Sequence, residues 1–238
     1  MLRMVRLSWL ILAAVLLIAA DASWKQTPIA QWNEEAAKQV LSDSPWAKSV
    51  TPQWVRDLSP NECEQSGDWS GCTGKGVGLA GIGLFGSARQ EEALERAHEK
   101  PQQRGVVIRW ESALPIRMAE QKAGETNVPM LDSDHYAIAV YDIPTPKRWN
   151  LARELKGIAF IKRDKKKDLR PTEVEILRHL DGRATIVYLF PASTEISKRE
   201  GRLSFQAQIG RLFVSQDFNP AEMQLNDQLE VLLPPNSP

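Results

Sequence analysis

The stretch RLSFQAQIGRLFVSQDF, residues 202–218, decides the fold. Leu203, Phe205, Ala207 and Ile209 fall on one side of an extended chain, and Ser204, Gln206 and Gln208 fall on the other. Strict alternation of this kind marks a strand with one buried and one solvated face. The spacing predicts strands over Arg202–Ile209 and Leu212–Phe218, paired around Gly210-Arg211. One-sided strands joined by a short turn build an antiparallel sheet, which tolerates water on one face.

Working toward the N-terminus, further strands are predicted over Thr172–Leu180 and Ala184–Phe190, joined at Asp181-Gly182, the strongest two-residue hairpin signal. Ile158–Arg163 reads as another strand, followed by the charged DKKKD loop. His135–Ile143 carries Tyr136, Ile138 and Val140 on one face and Ala137, Ala139 and Tyr141 on the other, until Pro144 and Pro146 end it. Val106–Trp110 is the first strand of this body. Two helices interrupt the series. One is capped at Ser112, runs through Ile116 and Met118, and ends near Gly124. The other carries Trp149, Leu151, Ala152 and Leu155 and is expected to stop at Gly157 in a left-handed cap. A last strand is expected over Gln228–Leu233, ahead of a disordered tail at 234–238. The body, 105–233, is therefore predicted to be α+β: mainly antiparallel sheet with a few helices on one face.

Ahead of the body lie two zones of different composition. Residues 59–104 contain a cysteine loop, a glycine-rich run and the charged stretch QEEALERAHEKPQQR, and read as a flexible connector. Residues 23–58 read as a short helical arm bearing Trp24, Trp32, Trp46 and Trp54. Asn33 is placed to cap a helix with Ala36, Ala37, Val40 and Leu41 on one face, and Ser44-Pro45 suggests a second helical turn carrying Trp46. The tryptophans could form a sugar platform. Docking onto a neighbouring core is the stronger reading, because short helices without their own core use large aromatics to bury area.

The first 22 residues read as a cleavable secretory signal. Arg3 and Arg6 precede an apolar run of 14 residues, Leu7–Ala20, and Ala20 and Ala22 are the small residues of a cleavage site after Ala22. That run falls short of the roughly 20 residues of a spanning helix, so no stable membrane insertion is expected after cleavage. The formal net charge is 0 for the whole chain, and loss of Arg3, Arg6 and Asp21 makes it −1. A nucleic-acid partner is excluded on this balance, since such binders carry a basic surplus.

Chemistry-bearing residues are sparse. Cys63 and Cys72 are the only cysteines, and in an oxidising exported compartment they are expected to form a disulfide. His98, His135 and His179 have no zinc-like spacing. Gly76-Val77-Gly78-Leu79-Ala80-Gly81 matches G-x-G-x-x-G, but a cysteine loop precedes it in place of a strand, so no dinucleotide cofactor is assigned. Asp132, Asp134 and His135 are the one candidate polar site, either a metal or acid/base cluster or a turn that opens a strand. No catalytic, cofactor or metal residue is assigned.

The blocks SPWAK (44–48), VIRWESALPIRMA (107–119), YAIAVYDIP (136–144), VYLFPASTEIS (187–197) and LSFQAQIG (203–210) occur together. In this combination the chain resembles a family of exported bacterial proteins with a variable glycine-rich middle and no established activity. The resemblance implies export and the block layout, and supplies no catalytic residue. The expected function is that of a periplasmic or secreted, non-enzymatic module binding a protein or glycan through its exposed sheet face or its Trp-bearing arm. The alternative is an extracytoplasmic hydrolase using Asp132, Asp134 and His135.

Overall fold

The computed structural model describes residues 23–54, 105–144, 152–209 and 212–234. The signal segment with Ala22, the Cys63–Cys72 pairing, the glycine-rich run, His98, Trp149 and Leu151 lie outside the described residues. The fold is α+β.

The described residues begin with single 3-10 turns at Ser23–Gln26 and Ile29–Gln31, followed by α1 (Glu34–Ser42). Asn33 caps α1 as its sequence predicts: its Oδ1 accepts from the Ala36 amide at 2.8 Å, and Ala36, Ala37, Val40 and Leu41 are buried. After α1 the chain turns into β1 (Asp43–Ser44) and β2 (Ala47–Val50), followed by β3 (Gln53–Trp54). Ser44-Pro45 does not start a second helical turn. Ser44 pairs with Ala47, and Pro45 and Trp46 form the turn between the strands. The Ser44 hydroxyl donates to the Val40 carbonyl at 2.7 Å and accepts from the Trp46 amide at 3.3 Å, which fixes that reversal.

Then come β4 (Val106–Trp110), α2 (Leu114–Ala123), β5 (His135–Pro144), α3 (Ala152–Gly157), β6 (Ala159–Arg163), β7 (Glu173–Arg178), β8 (Arg183–Pro191), β9 (Leu203–Ile209) and β10 (Leu212–Phe218). The two-residue strands β11 (Gln224–Leu225) and β12 (Gln228–Leu229) close the order. A central sheet runs β1-β2-β4-β5-β8-β7, and a second runs β3-β10-β9-β6. All pairings are antiparallel.

This topology revises the expected arm. Residues 47–50 pair with β4, Ala47 opposite Arg109 and Val50 opposite Val106, and Gln53 pairs with Phe213 of β10. Residues 23–54 are thus woven into both sheets, and Trp24, Trp32 and Trp46 belong to the main apolar core.

Alternation assigns the faces of the central sheet. Trp110, Ile138, Tyr188 and Val174 form one cross-strand row, and Arg109, Ala139, Val187 and Glu175 form the next, pointing the other way. The first row meets the second sheet. Trp110 stacks edge-on against Phe218 at 5.2 Å, and Tyr188 meets Phe205 at 5.4 Å. Such ring pairs add about 0.5–1.5 kcal/mol each beyond area burial. A bulge in β5 at Asp142, whose φ is 64°, shifts the phase so that Val140 and Ile143 both enter this core.

Four sequence expectations change at the ends of elements. Ser112 does not cap α2; Ala113 holds that position, because the buried Ser112 hydroxyl is taken by the Val231 carbonyl (2.7 Å) and the Ala137 amide (3.0 Å). Gly124, with φ 69°, ends α2 in the left-handed region. Gly157 is the last residue of α3 and lies outside that region. The terminal strand stops at Leu229, where Gln228–Leu233 was expected, because the next two carbonyls are used by side chains: Glu230 accepts from Trp46 Nε1 and Val231 from Trp110 Nε1, both at 2.7 Å. At Asp181-Gly182 the hairpin is three residues wide, with Gly182 at φ 79° and the His179 amide bonded to the Arg183 carbonyl.

Candidate functional site

Among the described residues, three of the places where polar or aromatic side chains gather bear on a site. The first is the predicted cluster at 132–135. The Asp134 amide donates to Asp132 Oδ1 at 3.0 Å, and His135 Nδ1 lies 2.9 Å from the same oxygen. The His135 hydrogen bond holds the Asp132 carboxyl below its usual range. The Asp132 side chain is 58 % exposed, and the arrangement is an Asx turn opening β5. Among the described residues no three His, Cys, Asp or Glu side chains are grouped to hold a metal ion. His179 is occupied locally, its Nε2 2.8 Å from Thr185 Oγ1.

The second place is a buried ionic network on the helix-side face of the central sheet. Arg109 of β4 reaches the Leu41 carbonyl through Nε at 2.9 Å and grips Glu125 through both terminal nitrogens, at 2.7 and 3.0 Å. Its guanidinium lies 4.2 Å above the Tyr141 ring. The Tyr141 hydroxyl donates to Glu111 Oε1 at 2.8 Å, with Glu120 Oε1 at 3.4 Å. Arg117, one turn before Glu120 on α2, bonds Glu120 Oε2 at 2.7 Å and lies 3.8 Å from Glu111 Oε1.

Both acids are sealed from water, Glu111 fully and Glu120 to within 2 %. Burial, reinforced by the neighbouring Glu111, pushes the Glu120 carboxyl up to about 10. Burial also raises the Tyr141 phenol, and Glu111 adds to the shift. Burial works against the Arg109 charge, but Glu125, Tyr141 and Glu111 outweigh it and keep the guanidinium protonated. The signal for this network was present in α2, where Glu120 sits at the four-residue spacing from Ile116 and beside Ala119 on the apolar side of the helix. A charge on an apolar stripe needs a buried partner.

Tyr141 and Glu125 also border a shallow, open groove of about 580 Å³, whose far wall is the β7–β8 turn with His179 and Asp181. The reactive groups behind it do not open into it, since Glu111 and Glu120 are absent from its lining.

The third place is a larger groove of about 820 Å³ between the 3-10 turns over residues 23–31 and the β11–β12 hairpin. Its floor is Trp24 and Trp46, with ring centroids 6.0 Å apart. Pro28, Ile29, Pro45 and Leu225 supply apolar walls, Gln224 and Asn226 supply amides, and Lys25 and Glu222 bring opposite charges. The hairpin owes its shape to Asn226 and Asp227, at φ 50° and 63°, the conformation that a two-residue turn of this type demands. This pair was the readable signal for the hairpin, lying between Gln224-Leu225 and Gln228-Leu229. Trp32 secures the floor by bonding the Thr27 carbonyl through Nε1 at 2.9 Å. Trp24 Nε1 is buried and has no acceptor among the described residues.

No helix among the described residues is long and apolar enough to cross a membrane. A scan of the chain against protein-family models, and searches of the curated proteins and of the solved structures, find no match.

Proposed function

We propose that the chain is an exported, non-catalytic binding module, periplasmic or secreted, that takes a polypeptide partner in the groove between its 3-10 turns and the β11–β12 hairpin. The observation that carries this reading is the fate of the tryptophans. Trp24, Trp32 and Trp46 are at most 7 % exposed, so no indole face is offered for a sugar to stack on. A glycan platform needs such a face. What the groove does offer is a mixture suited to an extended peptide: apolar walls for side chains, amides at Gln224 and Asn226 for main-chain groups, and charges of both signs at Lys25 and Glu222. The leader-like N-terminus and the resemblance to exported bacterial proteins support the location.

The hydrolase alternative loses its footing, because Asp132 and His135 lie on an exposed turn and line neither groove. The acids with strongly altered proton affinity are closed off from any substrate.

The test is capture from envelope and culture fractions with the chain expressed with its own leader, comparing wild type, Leu225→Arg/Glu222→Lys, and a control Gln206→Arg on the solvated face of β9. Retention of a polypeptide that falls at least about 10-fold in the groove variant, equivalent to about 1.4 kcal/mol, and survives in the control supports the groove. Retention indifferent to the groove variant, or retention of glycan alone, contradicts it.

A further inference from the structure

We infer that Glu111 and Glu120 hold one proton between them at neutral pH, and that this shared proton latches α2 onto the central sheet.

Three observations converge. The first is an orphan: Glu111 is fully buried, its Oε1 accepts from Tyr141, and its Oε2 has no donor among the described residues. A buried acceptor left unmatched is costly, and a neighbouring carboxyl that keeps its proton supplies the missing donor. The second is proximity: the Tyr141 hydroxyl lies 2.8 Å from Glu111 Oε1 and 3.4 Å from Glu120 Oε1, and Arg117 Nη1 lies 3.8 Å from Glu111 Oε1 and 2.7 Å from Glu120 Oε2, so the two carboxyls sit side by side around the same hydroxyl and guanidinium. Two carboxylates at that separation cannot both be ionised in a dry site without strong repulsion, whereas an acid and a carboxylate attract. The third is charge balance. The groups facing the pair are Arg109 from β4, Tyr141 from β5, Arg117 from α2 itself, and Glu125 just beyond α2. Two guanidinium charges thus meet three carboxyls, and one retained proton makes the cluster neutral.

The latch joins elements that are distant in sequence. Glu111 lies directly after β4, Glu120 is in the second turn of α2, and Tyr141 is in β5 before its bulge. Loss of the proton places two repelling anions between helix and sheet. Burial raises the proton affinity of Glu120 in the folded chain, to about 10 from an ordinary value of 4.5. Between those values the unfolded chain has released its proton and the folded chain has kept it, so stability falls as pH rises. The buried phenols of Tyr136, Tyr141 and Tyr188 are raised above their ordinary value of 10 and do not titrate below pH 9.

The test is thermal unfolding of the full chain at pH 6, 7.5 and 9, as wild type, Glu120→Gln and, as a control, Glu230→Gln. Wild type and the control are expected to lose about 8 °C of Tm across this interval, while Glu120→Gln, which carries a permanent amide donor, changes little. The same slope in Glu120→Gln as in wild type overturns the inference, as does a flat wild type. If Glu120→Gln does not fold, infrared spectroscopy of the wild-type chain with isotopically labelled glutamate decides: a protonated-carboxyl stretch at pH 8 supports the latch, and its absence overturns it.

Discussion

The two faces of the central sheet are built from alternate residues of the same strands, yet they solve opposite problems. On one face Trp110, Ile138 and Tyr188 meet Phe205 and Phe218 of the second sheet, and the interior is closed by ring packing. On the other, Arg109, one residue from Trp110, sits with Tyr141 over a pair of buried acids, beside the small residues Ala137 and Ala139. The apolar face is held by area, which is nearly indifferent to pH. The polar face is held by a network in which every member depends on its neighbours.

This contrast can be broken in order of effect. Trp110→Ala removes a fully buried indole together with its bond to the Val231 carbonyl, and should cost about 3–5 kcal/mol at any pH, read as a shift in the denaturant midpoint. Tyr141→Phe leaves the ring under Arg109 but deletes the donor to Glu111 Oε1, and should cost about 1–3 kcal/mol. Chemical unfolding of both variants checks the ranking, and a Tyr141→Phe chain as stable as wild type would mean that the polar face is a spectator. The pH dependence assigned to Glu120 belongs to the second face, so Trp110→Ala should keep the wild-type fall in Tm with rising pH.

The apolar face was legible and the polar one was not, for a physical reason. Period-two alternation in 203–209 and 136–141 marks which residues share a face, and the structure keeps that assignment, with Leu203, Phe205, Ala207 and Ile209 buried. Local signals also held where the partner lies within a turn: Asn33 caps α1 by bonding an amide three residues on. They failed where the partner is far along the chain. Ser112 has the side chain of a cap, but Val231, more than a hundred residues away, takes its hydroxyl. The same distant segment ends the last strand early by offering its carbonyls to Trp46 and Trp110. Residues 47–50 looked like part of an arm because their strand partner, β4, begins more than fifty residues further along the chain. As for the sites, Asp132 and His135 stood out because they are adjacent in sequence, and adjacency of that sort makes an exposed turn. Glu111, Glu120 and Tyr141 are spread over thirty residues and meet only through the sheet.

The functional claim rests on the groove at the edge of this frame, and hydrogen exchange of the wild-type chain with and without its captured partner tests it most directly. The account predicts new protection confined to residues 24–29, 45–46 and 222–226, with Ser204, Gln206 and Gln208 on the solvated sheet face unchanged. Protection that falls on the sheet face or on residues 132–135, and spares the groove, would contradict it.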